Sequence, residues 1–161
     1  MTNTEITQKI KKWREVARKV NDYFIKFIIE YIAFNALARQ KYGYVISDSK
    51  LVIDKVGSSV PYEIFKKEDL ENLKKLMPLK NVRNVKRNQG EKEIKKEDLE
   101  NVKNVVKAIY WIRNNLLHGD KKYSTSEKVY SRDAALVKVG YKLLLSLNDW
   151  LLEEFKKGEC Q

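Results

Sequence analysis

Apolar residues recur at three- and four-residue steps through the first part of the chain: Ile10, Trp13, Ala17, Val20, Phe24, Phe27 and Tyr31. That spacing predicts one long helix over residues 6 to about 40. Between Tyr23 and Ala38 the pattern changes, and YFIKFIIEYIAFNALA is apolar almost all round. The run is too short, and too interrupted by Lys26, Glu30 and Asn35, to span a membrane. A helix apolar on all sides is buried on more than one of them. In a chain of 161 residues, the second side is expected to face a partner subunit.

After a turn at Gly43, Ser47 is placed to cap a short helix, DSKLVIDKV, that ends near Gly57. Pro61 is expected to open the next helix, which carries KKEDLENLKKLM and stops before Pro78. A basic loop comes next, at about 78–96, with Lys80, Arg83, Lys86 and Arg87 crowded into its first half. The segments KKEDLENLKKL (66–76) and KKEDLENVKNV (95–105) are nearly identical, with acidic residues where a helix begins and lysines later. Two copies do not make a solenoid. The second copy leads into a long helix over about 97–117, for which Gly119 is a natural stop. A polar, turn-like stretch separates it from the last helix. That helix is expected from about Ser131 to Lys157, ended by Gly158, with Leu136, Val139, Leu143, Leu147, Trp150, Leu151 and Phe155 inside. The fold class expected is all-α: an antiparallel bundle of three long helices plus short intervening ones, in a single domain over 1–161.

Composition narrows the picture. Apolar residues make up 43% and charged residues 34%, which is globular rather than disordered. Thirty-three Lys and Arg against 22 Asp and Glu leave a net charge of +11. That excess draws polyanions, and RNA is the polyanion the basic loop would suit through its phosphates. Cys160 is the single cysteine, so no intrachain disulfide forms and a cytoplasmic setting is expected. The first residues, MTNTEITQKIKKW, lack the apolar core of a signal peptide. One histidine and no clustered carboxylates leave too few ligands for a metal centre, and no cofactor is expected.

One residue breaks the pattern. On a helix over 97–118, Val102, Val105, Val106, Ile109, Ile112, Leu116 and Leu117 form one stripe, and Arg113 falls near its middle. A buried arginine needs a partner. Either a carboxylate supplies it, with Glu30 the candidate, or an anionic ligand does, or the long arm snorkels out past the helix end. The only histidine, His118, lies five residues later. An ideal helix turns it about 140° away from Arg113 and about 7.5 Å further along the axis, whereas Asn114 and His118 share a face. Arg113 and His118 would converge if the last turn unwound, or across a two-fold axis. Trp111 is expected opposite the stripe, exposed on a contact surface. By itself, a histidine before a glycine is also an ordinary helix ending that satisfies carbonyls and the dipole.

The segment RNNLLH, Arg113 to His118, resembles the R-x4-H motif of the HEPN superfamily (higher eukaryotes and prokaryotes nucleotide-binding domains), with Asn114 in the place of its frequent polar residue. The position of the motif, at the end of a long helix before a polar stretch and a final long helix, is similar as well, and so is the YIAFNALA run. The resemblance implies a metal-independent endoribonuclease whose site is completed by two copies of the motif at a homodimer interface. Arg113, Asn114 and His118 would be its catalytic residues. It also implies a toxin or antiphage setting, with a cognate antitoxin protein as a candidate partner. The alternative it leaves is a non-catalytic module that binds nucleotide, RNA or a protein. A helical scaffold whose histidine only caps a helix is the remaining reading.

Overall fold

The computed structural model describes residues 1–81, 92–118 and 127–159, without the side chains of 118, 127–130 and 159. It is an all-α fold with one minimal two-stranded sheet. Among the described residues no helix is long and apolar enough to cross a membrane.

The expected first helix is two helices. Helix α1 spans Asn3–Lys19 and α2 spans Tyr23–Tyr42. Val20 is extended, and the Asp22 side chain accepts a hydrogen bond from the Phe24 N–H at 2.8 Å, capping α2. The apolar spacing runs unbroken through the turn because both helices keep their apolar sides inward. They form an antiparallel hairpin, closed at its open end by Gln40 Nε2 donating to Asn3 Oδ1. Four long helices therefore replace the three expected. Trp13, expected inside, is exposed.

A buried polar network fastens the hairpin. Arg14 Nε reaches Glu30 Oε1 at 2.7 Å, and its Nη2 reaches Asp149 Oδ1 at 2.8 Å. Asn148 Nδ2 donates to the same Glu30 oxygen at 3.1 Å. Glu30 is 0% exposed. This network links α1 and α2 to α5, the last helix, Glu127–Glu159. That helix starts four residues before the expected Ser131 and runs past Gly158.

Beyond the Gly43 turn, where φ is +122° and a side chain would be strained, the short helix expected at Ser47 is present in altered form. Leu51 N–H bonds the Ser47 carbonyl at 2.9 Å, and Lys50–Val56 is wound as a π-helix. The winding relaxes into a single α-helical turn, Gly57–Ser59, two residues beyond the expected end. Pro61 opens a 3-10 turn at Tyr62–Ile64, and helix α3 begins only at Lys67, spanning Lys67–Lys74.

The two near-identical segments fold differently. In the first, Asn72 lies within α3. In the second, Asp98 Oδ2 accepts from the Lys95 N–H at 2.8 Å and the chain makes a 3-10 turn, Lys96–Glu100. Asn101 is then extended, and its side chain accepts from the Lys103 N–H at 2.9 Å. Helix α4, Val102–His118, starts there rather than at 97.

Strands β1, Leu79–Lys80, and β2, Glu93–Ile94, pair antiparallel, with Leu79 opposite Ile94 and both buried. The ends of the expected basic loop are thus a packed ladder. Helix α4 packs against α5, the π-helical segment, the 3-10 turn Lys96–Glu100 and β1. Being surrounded, it buries residues on all its sides. Trp111 is 3% exposed, with Lys107 Nζ 4.9 Å from its ring centre, so the expected exposed tryptophan is a core residue. Leu117, expected in the stripe, is instead 49% exposed.

Candidate functional site

Arg113 sits in the last two turns of α4, where the bundle opens. Its side chain is 21% exposed. The expected Glu30 partner is not there, because Arg14 holds that carboxylate. Arg113 has instead a thin set of contacts. Nη1 donates to Asn114 Oδ1 at 2.9 Å, and Nη2 stands 4.0 Å from Asp48 Oδ2, beyond hydrogen-bond reach. The guanidinium carbon lies 5.6 Å from the centre of the Tyr31 ring. Arg113 Nε, Asn114 Nδ2 and the Tyr31 hydroxyl are all buried without a hydrogen-bond partner. Burial pushes the Tyr31 phenol up, the nearby Arg113 charge opposing it.

A second arginine makes the contrast plain. Arg39 donates from Nε to Asn35 Oδ1 at 3.2 Å, and from Nη1 to the carbonyls of Tyr44 and Ile46 at 3.0 and 2.9 Å. Its Nη2 is paired with Asp48 Oδ1. Arg39 is committed to the fold: it ties the turn after α2 and fixes Asn35 and Asp48. Arg113 is not committed in this way.

Between α2 and the end of α4 lies a pocket of about 460 Å³. Phe27, Ile28, Ile32, Ala36, Leu116 and Leu117 form its apolar walls. Tyr31, Asn35, Asp48 and Arg113 supply its polar atoms. On the solvent side, Ile25, Ile28 and Ile32 stay exposed along α2, Ile32 at 51%. These are the residues that made α2 read as apolar all round.

Of the residues expected at the site, Arg113 and Asn114 are in contact. Helix α4 holds its α-helical winding through His118. The unwinding that would bring His118 beside Arg113 within one chain is therefore absent, and the helical phase keeps the two positions about 140° apart. The His118 side chain lies outside the described residues. Lys80 is exposed on β1, and its carbonyl accepts from Asn115 Nδ2 at 2.9 Å. That bond ties the base of the basic segment to the motif helix. Arg83, Lys86 and Arg87 lie outside the described residues, as do Gly119 and Cys160. Among the described residues no group of three His, Cys, Asp or Glu is placed to hold a metal ion.

Sequence reading missed Tyr31, Asn35 and Asp48. Asn35 had left a signal, as a polar residue inside an apolar helix. Asp48 had left none, since an aspartate after a turn is ordinary. No family model, curated protein or solved structure matches the chain.

Proposed function

We propose that the protein is a metal-independent endoribonuclease whose site is completed by a second copy of the chain. The observation that carries the reading is Arg113: a partly buried cation at the mouth of a pocket, making one hydrogen bond, five residues before the only histidine. A fold-stabilising arginine would be tied down as Arg39 is. An under-committed guanidinium instead suits a phosphate, two of whose oxygens it can hold at once.

In the proposed reaction a histidine takes the proton from an RNA 2′-hydroxyl. The 2′-oxygen attacks the adjacent phosphorus. The bond from phosphorus to the 5′-oxygen breaks, and that oxygen leaves with a proton from a second histidine. The products are a 2′,3′-cyclic phosphate and a 5′-hydroxyl. Imidazole changes protonation near neutral pH and suits both roles. Arg113 balances the charge that builds on the phosphate, and Asn114 orients the guanidinium through their hydrogen bond.

Because the α-helical phase separates the two motif positions in one chain, Arg113 of one copy would work with His118 of the other. The apolar rim of Ile25, Ile28, Ile32 and Leu117 supports a two-fold contact beside the pocket. The net charge of +11, with Lys80 anchored to α4, favours a polyanionic substrate. The same phase relation favours a second reading, a module that binds RNA or nucleotide, or docks an antitoxin, without cutting.

The test is incubation with total cellular RNA in EDTA, beside Arg113→Ala, His118→Ala and Ile32→Lys, each checked for folding by circular dichroism. The proposal expects wild type to leave cyclic phosphate ends, and the first two variants to be inactive. Ile32→Lys is expected to be monomeric by light scattering and inactive. Intact RNA with folded wild type would shift the assignment to the binding module. Cleavage by a monomeric Ile32→Lys would remove the composite site.

A further inference from the structure

The pocket beside Arg113 is larger than a phosphate needs, and its polar end has a definite pattern. Asp48 is held by Arg39 through Oδ1, while its Oδ2 makes only the long ion pair with Arg113, 4.0 Å away, and stays able to accept. Asn35 Oδ1 is taken by Arg39 Nε, which leaves the Asn35 Nδ2 to donate. Around them the walls are aliphatic and aromatic, from Phe27, Ile28, Ile32 and Leu117. A flat apolar body with a polar edge fits such a space, and about 460 Å³ accommodates a nucleobase with its sugar.

We propose that this pocket is a base-selecting subsite that takes a guanine next to the phosphate held by Arg113. The inference rests on the ribonuclease reading for its substrate class, RNA, and adds which base is chosen. Guanine alone among the four bases offers two adjacent N–H donors, N1–H and the 2-amino group, to one carboxylate. Its O6 acceptor lies beside them, within the kind of edge that an amide donor completes. Asp48 Oδ2 accepts from both N–H groups while Oδ1 stays with Arg39, and Asn35 donates to O6. Adenine would turn its N1 lone pair, and cytosine its N3 lone pair, toward the Asp48 carboxylate. Uracil offers one N–H flanked by two carbonyl oxygens, one of which would meet the carboxylate. Arg39 acts as a positioning residue, holding Asn35 and Asp48 in place before any ligand arrives. The side chains of the exposed rim double as pocket walls, so a second copy seated on them would roof the base.

The experiment is calorimetric titration of the full chain with 3′-GMP, 3′-IMP, 3′-AMP and 3′-UMP, for wild type, Asp48→Asn and Ala36→Trp. Wild type is expected to bind 3′-GMP about tenfold or more tighter than 3′-AMP and 3′-UMP, as a two-point base contact discriminates. 3′-IMP, which lacks the 2-amino group, should fall between them. Asp48→Asn should erase the ranking. Arg39 keeps its bonds to Asn35 and to the Tyr44 and Ile46 carbonyls in that variant, so the turn stays in place. Ala36→Trp, which fills the pocket, should abolish 3′-GMP binding while circular dichroism is unchanged. Equal binding of the four nucleotides, no binding at millimolar concentration, or a guanine preference that survives Asp48→Asn overturns the subsite. RNA cleavage without guanine preference removes the subsite and leaves the ribonuclease. An Asp48-dependent guanine preference in a protein that cuts no RNA does the reverse.

Discussion

Replacing Arg14 and Arg113 in turn by methionine, which keeps length and removes charge, tests what each guanidinium is for. Arg14 holds Glu30 at 2.7 Å and Asp149 at 2.8 Å, and Glu30 is fully buried. Arg14→Met leaves that carboxylate with Asn148 as its remaining side-chain donor. Breaking a buried pair on one side costs about 3–5 kcal/mol. In a chain of this size each kcal/mol moves Tm by about 2–4 °C, so the melt falls by about 6–20 °C. Arg113→Met has a different balance. It loses one hydrogen bond from a charged donor, about 1.5–3 kcal/mol, and a cation–π contact over Tyr31, about 0.5–1 kcal/mol; the long ion pair with the part-exposed Asp48 adds at most a few tenths. It removes the buried, unpartnered Nε, a relief of about 1–3 kcal/mol. These terms centre on a net cost of about 1 kcal/mol, a Tm fall centred on about 2–4 °C. The assay is thermal and urea unfolding followed by circular dichroism, with Arg14→Met/Glu30→Met as the control. That double variant should recover most of the stability, because it removes both buried charges. Equal destabilisation by Arg113→Met and Arg14→Met would refute the idea that Arg113 is held for a ligand rather than for the fold.

Gly140→Ala should cost about 1–3 kcal/mol in urea unfolding, since its Cβ would stand 2.9 Å from Phe27 Cε2 and 3.4 Å from Ile112 Cδ1. The same push on Phe27, a pocket wall, should weaken nucleotide binding. Burial raises the Asp69 carboxyl, with Lys142 pulling it back. A raised folded value means that the folded state is favoured while the group is protonated, and loses that advantage as pH climbs from the unfolded carboxylate value toward the folded one. The Tm gain of Asp69→Asn over wild type should therefore grow as pH rises above the ordinary carboxylate range, and a flat or shrinking gain would contradict the assignment.

The long helices were legible because three- and four-residue apolar spacing is a direct record of which side faces inward. The break at 20–22 was not, since a two-helix hairpin keeps the same spacing on both arms and only the Asp22 cap marks the turn. The twin KKEDLEN segments show a similar limit. Their local propensities are the same, and the surroundings decide, Asn72 continuing a helix while Asn101 stands before one. Trp111 was misplaced because a helix packed on several sides carries no polar face to read. At the site, Arg113 was legible as a charge in an apolar stripe, and Asn114 by the helix face it shares with His118 and its place in the motif. Glu30 was visible as buried and wrongly paired, because spacing along a chain cannot tell which of two arginines reaches it. Tyr31 and Asp48 come from separate elements, and only the fold brings them together.

The π-helical turn at Lys50–Val56 bears on how this region tolerates change. Its Gly57 N–H reaches back five residues, to the Val52 carbonyl, so the segment holds one residue more than an α-helix of the same span. Leu51, Val52 and Val56 stay buried all the same. A single-codon deletion here could be absorbed by rewinding to an ordinary helix, at little cost in buried surface. Because the shorter α-helix covers the same span, the chain on either side keeps its direction, and Asp48, just ahead of the segment, keeps its place. Loss of one residue among these seven would therefore spare both the carboxylate and the bundle, whereas the same loss in an ordinary α-helix would turn the flanking chain by about 100°.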